Sequence, residues 1–157
     1  MKKNLANPEH IKTVTELMSQ LNSAGILFGR CPFVKAMTDV TGFGLLGHLL
    51  EICEGSGMCA FLNFDAIPLL DHLKGYIESN CIPGGTYRNW KSYGTKIGDI
   101  SEFQKLILAD PQTSGGLLIA VDQVAPGFDR YASKHGFREI GYLERNPGEK
   151  TIIQIKS

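Results

Sequence analysis

The segment Thr38-Asp39-Val40-Thr41-Gly42-Phe43-Gly44 places an aspartate and two glycines between a short apolar run and a helical pattern. Such a junction suits a phosphate and its metal. N–H groups in a first helical turn lack an intrahelical acceptor and can receive anion oxygens, and glycine lets a ligand approach the backbone. A carboxylate at the same place can hold a hard cation such as Mg²⁺. Asp39 is the candidate metal ligand, and Thr41 and Gly42 are candidate nucleotide contacts. Local pattern alone favours a plainer role for Asp39, as a cap on the helix donors. The two glycines also fall short of a full phosphate-loop fingerprint.

Two further segments carry polar groups at turns. Asp110-Pro111-Gln112-Thr113-Ser114-Gly115-Gly116 reads either as an oxyanion nest or, by local physics, as a turn whose Asp110 and Thr113 bond their own backbone. In Pro83-Gly84-Gly85-Thr86-Tyr87-Arg88-Asn89, Arg88 can offer bidentate donors to a phosphate or stand solvated on a loop. His48 lies in an apolar helical pattern and reads as a satisfied, half-buried histidine; His10, His72 and His135 have polar neighbours and read as surface residues. Cys31, Cys53, Cys59 and Cys81 contain no close ligand pair, so reduced thiols are favoured over a zinc site built from Cys53, Cys59, Cys81 and His48. No nucleophile–base pair can be argued from spacing.

These segments need elements to hold them. Asn7-Pro8-Glu9 gives a cap, a first-turn proline and an acidic first turn, and the apolar spacing after it predicts a helix over 8–22. Phe33 to Val40 predicts a buried strand, with Thr41 capping a helix that closes at Gly55-Ser56-Gly57. A strand over 58–64, a short helix after Pro68 and an irregular loop over 80–99 follow; the length of that loop marks it as functional. Ser101 caps a helix through Leu108. Leu117 to Val121 predicts a buried strand, 126–135 a helix, and 139–143 and 151–156 two strands joined by a turn-like stretch and able to pair antiparallel. The expectation is one α/β (α+β) domain over residues 1–157, a mixed sheet packed with helices.

Sixteen basic side chains balance sixteen acidic ones, so no net field draws nucleic acid or an anionic membrane. No apolar stretch is long enough to span a bilayer. The expected setting is soluble and cytoplasmic, with neither nucleic acid nor membrane as partner.

In order along the chain, Lys35-Ala36-Met37-Thr38-Asp39-Val40-Thr41-Gly42-Phe43-Gly44-Leu45-Leu46-Gly47-His48-Leu49, Pro83-Gly84-Gly85-Thr86 with Arg88-Asn89, and Asp110 to Leu118 resemble the selenophosphate synthetases, or selenide, water dikinases, of the aminoimidazole ribonucleotide synthetase superfamily. The likeness runs from about residue 8 onward, and it implies the carboxy-terminal domain. It further implies a reaction in which ATP, selenide and water give selenophosphate, AMP and phosphate with Mg²⁺, and it puts one metal aspartate on Asp39. The family's nucleophile, lysine and other metal aspartates lie in an amino-terminal domain without a counterpart here, so no catalytic residue is assigned to this chain. Cys31, before a proline, is no substitute. The resemblance also implies an amino-terminal domain as partner in cis or trans, a homodimer in the full-length protein and an isolated chain that is inactive. Two alternatives stay open: a non-catalytic module that docks selenium-delivery proteins through 80–99, and half of another ATP-dependent enzyme of the superfamily.

Overall fold

The structure is a computed structural model that describes residues 5–122, 124 and 127–156. Helix α1 spans Pro8–Met18, and Asn7 Oδ1 accepts from Glu9 N as its cap. It stops short of the expected residue 22. Leu21 is 86% exposed, so the apolar stripe has nothing to pack on beyond Met18. After the short α2 (Gly25–Phe28), strand β1 spans Val34–Asp39 and helix α3 Gly44–Ser56. Strand β2 is Met58–Asn63, a single 3-10 turn covers Phe64–Ala66, and helix α4 is Leu73–Glu78.

Residues 80–99, expected to be an irregular loop, instead form helix α5 (Gly84–Tyr93) and a 3-10 turn at Gly94–Lys96. Helix α6, Glu102–Leu108, has the expected Ser101 cap, strengthened by a reciprocal bond from Gln104. Strand β3 spans Leu117–Val121, α7 Phe128–Lys134, β4 Gly141–Arg145 and β5 Ile153–Lys156. The expected helix start at Pro126 lies outside the described residues.

The strands form two sheets. β1 and β3 pair antiparallel, with Asp39 opposite Leu117. The second sheet is mixed and ordered β4-β2-β5, with β2 antiparallel to β4 and parallel to β5. The expected β4–β5 hairpin does not form, because β2 lies between its two strands. Ala60 and Leu62 of β2 and Ile153 of β5 are buried against Leu46, Leu49, Leu50 and Cys53 of α3, which closes the core together with Tyr93 and Leu108. Burying that row outweighs the local turn, whose Asn146 side chain is satisfied by Gly148 N and Glu149 N. All four cysteines are free, and burial pushes the Cys53 thiol up to about 11, aided by the nearby Cys59 and Glu54. No helix among the described residues is long and apolar enough to cross a membrane.

Candidate functional site

β1 delivers Asp39 to the mouth of the loop 40–43, and the sheet ladder continues one residue past it. Val40 N donates to Gly116 O at 2.9 Å, and Gly115 N donates to Val40 O at 3.0 Å. Val40 is buried while Asp39 and Thr41 are exposed, as alternation along extended backbone requires. Gln112 N and Gly44 N both donate to Thr41 O, at 3.0 Å each. The segment Asp110 to Gly116 therefore braces this loop from behind. The N–H groups of Gln112 and Gly115 are engaged by the loop and so are not offered to an oxyanion.

Helix α5 closes the corner from a third direction. Its buried Thr86, Asn89 and Tyr93 are spaced three and four apart on one helix face. Asn89 Nδ2 donates to Gly42 O at 2.9 Å and to Ala109 O at 3.0 Å, and the Tyr93 hydroxyl donates to Phe43 O at 2.7 Å. Thr86 Oγ1 donates to Asp110 Oδ1 at 3.0 Å, while Gln112 Nε2 donates to Asp110 Oδ2 at 2.9 Å. The three sequence segments thus meet in one hydrogen-bonded corner. Gly85 makes the meeting possible, since a Cβ there would lie 2.5 Å from Pro111 Cγ.

Asp110 is consumed by this bracing. Burial pushes its carboxyl above the usual range, and the bonds from Thr86 and Gln112 oppose that rise. A raised folded-state value means that ionisation costs stability as pH climbs from the unfolded value through the folded one, and that the cost vanishes in acid. Thr86→Val removes one donor that favours the ionised form. It is expected to destabilise by roughly 1–3 kcal/mol near neutral pH and by less near pH 4. Urea unfolding across that pH range checks this; a loss independent of pH would contradict the Thr86–Asp110 assignment.

Asp39 behaves differently. Its side chain is exposed, and among the described residues nothing donates to or ion-pairs with its carboxylate. It does not cap α3. That helix has Phe43 at its N-cap with no side-chain hydrogen bond, so the expected Thr41 cap is also absent. The Thr41 hydroxyl instead meets His48 Nε2 at 3.0 Å. Gly42 is exposed, and a Cβ on it would touch nothing within 4 Å. Among the described residues the N–H groups of Thr41, Gly42 and Phe43 donate to no protein acceptor. Arg88 is exposed on α5, and its guanidinium lies back along its own helix near Gly84 rather than in the loop. Sequence reasoning missed Asn89, Tyr93 and the role of Thr86. Their spacing at three and four was the available signal, masked by the glycines that open α5.

An acidic strand end, a loop held by backbone and amide bonds, and a brace from Asp110 to Gly116 form one unit. The family profile for the AIR synthase related protein, C-terminal domain, matches residues 3–154. The chain belongs to this family. It is 50% identical over 157 residues to a selenide, water dikinase of Yersinia pestis, with 98% of this chain and 45% of that protein covered. A selenide, water dikinase of Haemophilus influenzae is 57% identical over 165 residues, covering 99% and 46%. One from Pasteurella multocida is 60% identical over 121 residues, covering 77% and 34%. The chain spans less than half the length of these relatives. Membership in the family agrees with the mixed sheet and helices seen here, and with the expectation of a carboxy-terminal domain.

The donor set bears on whether Mg²⁺ fits. Asp39 supplies an unengaged carboxylate, the ligand type this ion prefers. Among the described residues no group of three or more His, Cys, Asp or Glu could hold a metal. One carboxylate fits as a contributor, with the remaining oxygens coming from phosphates or another domain.

Proposed function

We propose that this chain is the carboxy-terminal half of a selenide, water dikinase, which makes selenophosphate, AMP and phosphate from ATP, selenide and water. The observation that carries this reading is Asp39: an exposed carboxylate, unpartnered among the described residues, at the end of β1 beside a loop whose carbonyls are tied down. Asp39 would hold Mg²⁺, and the ion would offset phosphate charge. The chain's own residues do the positioning. The backbone of Thr41 to Phe43, fixed through Gln112, Asn89 and Tyr93, keeps free N–H groups beside Asp39 to receive phosphate oxygen. Gly42 keeps that face open. Arg88 would have to swing off α5 to join a nucleotide. ATP and Mg²⁺ as cofactors, a homodimer in the full-length protein and a cytoplasmic setting belong to the same reading. The alternative of a docking module, offered through 80–99, would present helix α5 rather than an irregular loop to a partner.

The chain by itself, given ATP, Mg²⁺ and selenide, is expected to release no AMP above background, because a multi-oxygen phosphate site cannot be built on one carboxylate. A full-length version carrying an amino-terminal half should turn over. Ordinary turnover by the 157-residue chain would sink the two-half reading. Full-length protein that consumes ATP with another acceptor and not with selenide would sink the dikinase assignment.

A further inference from the structure

Three side chains are linked in series from the loop 40–43 into α3. Glu51 Oε2 lies 3.2 Å from His48 Nδ1, and His48 Nε2 lies 3.0 Å from Thr41 Oγ1. Glu51 and His48 share a helix face at a spacing of three, and the Glu51 side chain is 63% exposed while that of His48 is 9% exposed. Thr41 is two residues from Asp39 and on the same side of the extended backbone, opposite the buried Val40.

The roles of the atoms follow from what each can do. A carboxylate only accepts, so the His48 nitrogen facing Glu51 carries the proton. In a neutral imidazole the other nitrogen is then an acceptor, and the Thr41 hydroxyl must donate to it. The hydroxyl proton is thereby turned inward, and the oxygen lone pairs remain outside. An oxygen in that state is poor at holding a phosphate and suited to a hard cation.

We propose that Glu51 and His48 are positioning residues that hold the Thr41 proton inward, so that Thr41 presents an acceptor oxygen beside the Asp39 carboxylate to a divalent cation. This rests on the dikinase reading only for the identity of the ion and for the longer protein in which it is tested. It reassigns Thr41 from a nucleotide contact to the metal side of the corner. Phosphate oxygens are left to the backbone N–H groups of 41–43. The role is that of an outer partner that fixes a ligand's orientation, whose removal typically weakens metal affinity about 10- to 100-fold.

Two measurements test the relay. On the 157-residue chain, long-range proton–nitrogen NMR of the His48 ring at neutral pH should show the proton on Nδ1. A proton on Nε2 would overturn the proposal. On the full-length version with ATP present, Mn²⁺ is titrated and the free ion is read by electron paramagnetic resonance. Glu51→Ala and Thr41→Val should each weaken Mn²⁺ binding about 10-fold with little change in melting temperature. Glu51→Gln, whose amide oxygen can still accept from Nδ1, should restore it. His48→Phe enlarges the series but alters a buried site, so Glu51→Ala carries the decision. Equal Mn²⁺ affinity in wild type, Glu51→Ala and Thr41→Val, or a loss matched by Glu51→Gln, would refute the relay. If Mn²⁺ follows the expected pattern while selenide supports no turnover, the relay stands and the dikinase reading falls.

Discussion

Asp39→Asn in a full-length version is expected to lower selenide-dependent AMP release roughly 100-fold, about 2.7 kcal/mol of transition-state stabilisation, because an anionic oxygen leaves the metal's coordination sphere. Stability should hardly move. The side chain is exposed and unpartnered among the described residues, and substitutions at such positions usually stay within about 0.5 kcal/mol. The contrast separates two roles that the sequence left open. Had Asp39 capped α3, asparagine would serve nearly as well and both quantities would stay put. The structure shows no side-chain cap on that helix, so the carboxylate is uncommitted among the described residues. Steady-state rates at limiting Mg²⁺, beside a thermal melt, make the comparison. Near-normal selenophosphate synthesis by the asparagine variant would refute the metal role.

The parts of the fold that were legible are those where local signals agree. β1, α3 and β2 follow from an apolar run, a helical stripe and the Gly57 stop, whose φ of 68° is the left-handed ending that glycine provides. The Ser101 cap and a strand at Leu117–Val121 were equally plain, although only Leu118 of that strand is buried. α5 was not, because Gly84 and Gly85 are poor helix formers and Gly94 follows at its end. What stabilises α5 is tertiary: Thr86, Asn89 and Tyr93 each bond a different part of the corner. The strand order failed for a related reason. A turn at Asn146-Pro147-Gly148 says that β4 and β5 end near each other, and only the core says that β2 must lie between them.

The site divides in the same way. Asp39 could be singled out as a carboxylate at a strand end beside glycines, but local pattern pointed to a cap that the structure does not show. Asp110 was readable as polar but not as structural. Its role depends on Thr86, twenty-four positions away, and no local pattern encodes that distance. His48 was correctly placed as a satisfied histidine, while its partners Thr41 and Glu51 lie seven residues before it and three after. Arg88, attractive by type, turns out to lie along its own helix.

The largest expected effect on stability belongs to Gly44, the residue on which the corner closes. Its φ is 71°, and a Cβ there would lie 2.8 Å from Ala109 C, 2.9 Å from Leu108 O and 3.0 Å from Asp110 O. All three are backbone atoms and cannot swing aside. Gly44→Ala therefore meets left-handed strain of roughly 1–2 kcal/mol and, in addition, must push the end of α6 away from the loop. A total near 3 kcal/mol or more is expected, which for a domain of this size lowers the melting temperature by about 6–12 °C. Displacing 108–110 also draws Ala109 O away from Asn89 and moves Asp110 relative to Thr86, so two further bonds weaken together. Gly42→Ala is the matched control, with an open space for its Cβ and no positive φ. It should melt within about 1–2 °C of wild type. Comparing the two alanine variants by calorimetry isolates the close approach from the general effect of removing a glycine. Equal melting temperatures for both would mean that the loop and the end of α6 do not pack as tightly as 2.8 Å implies.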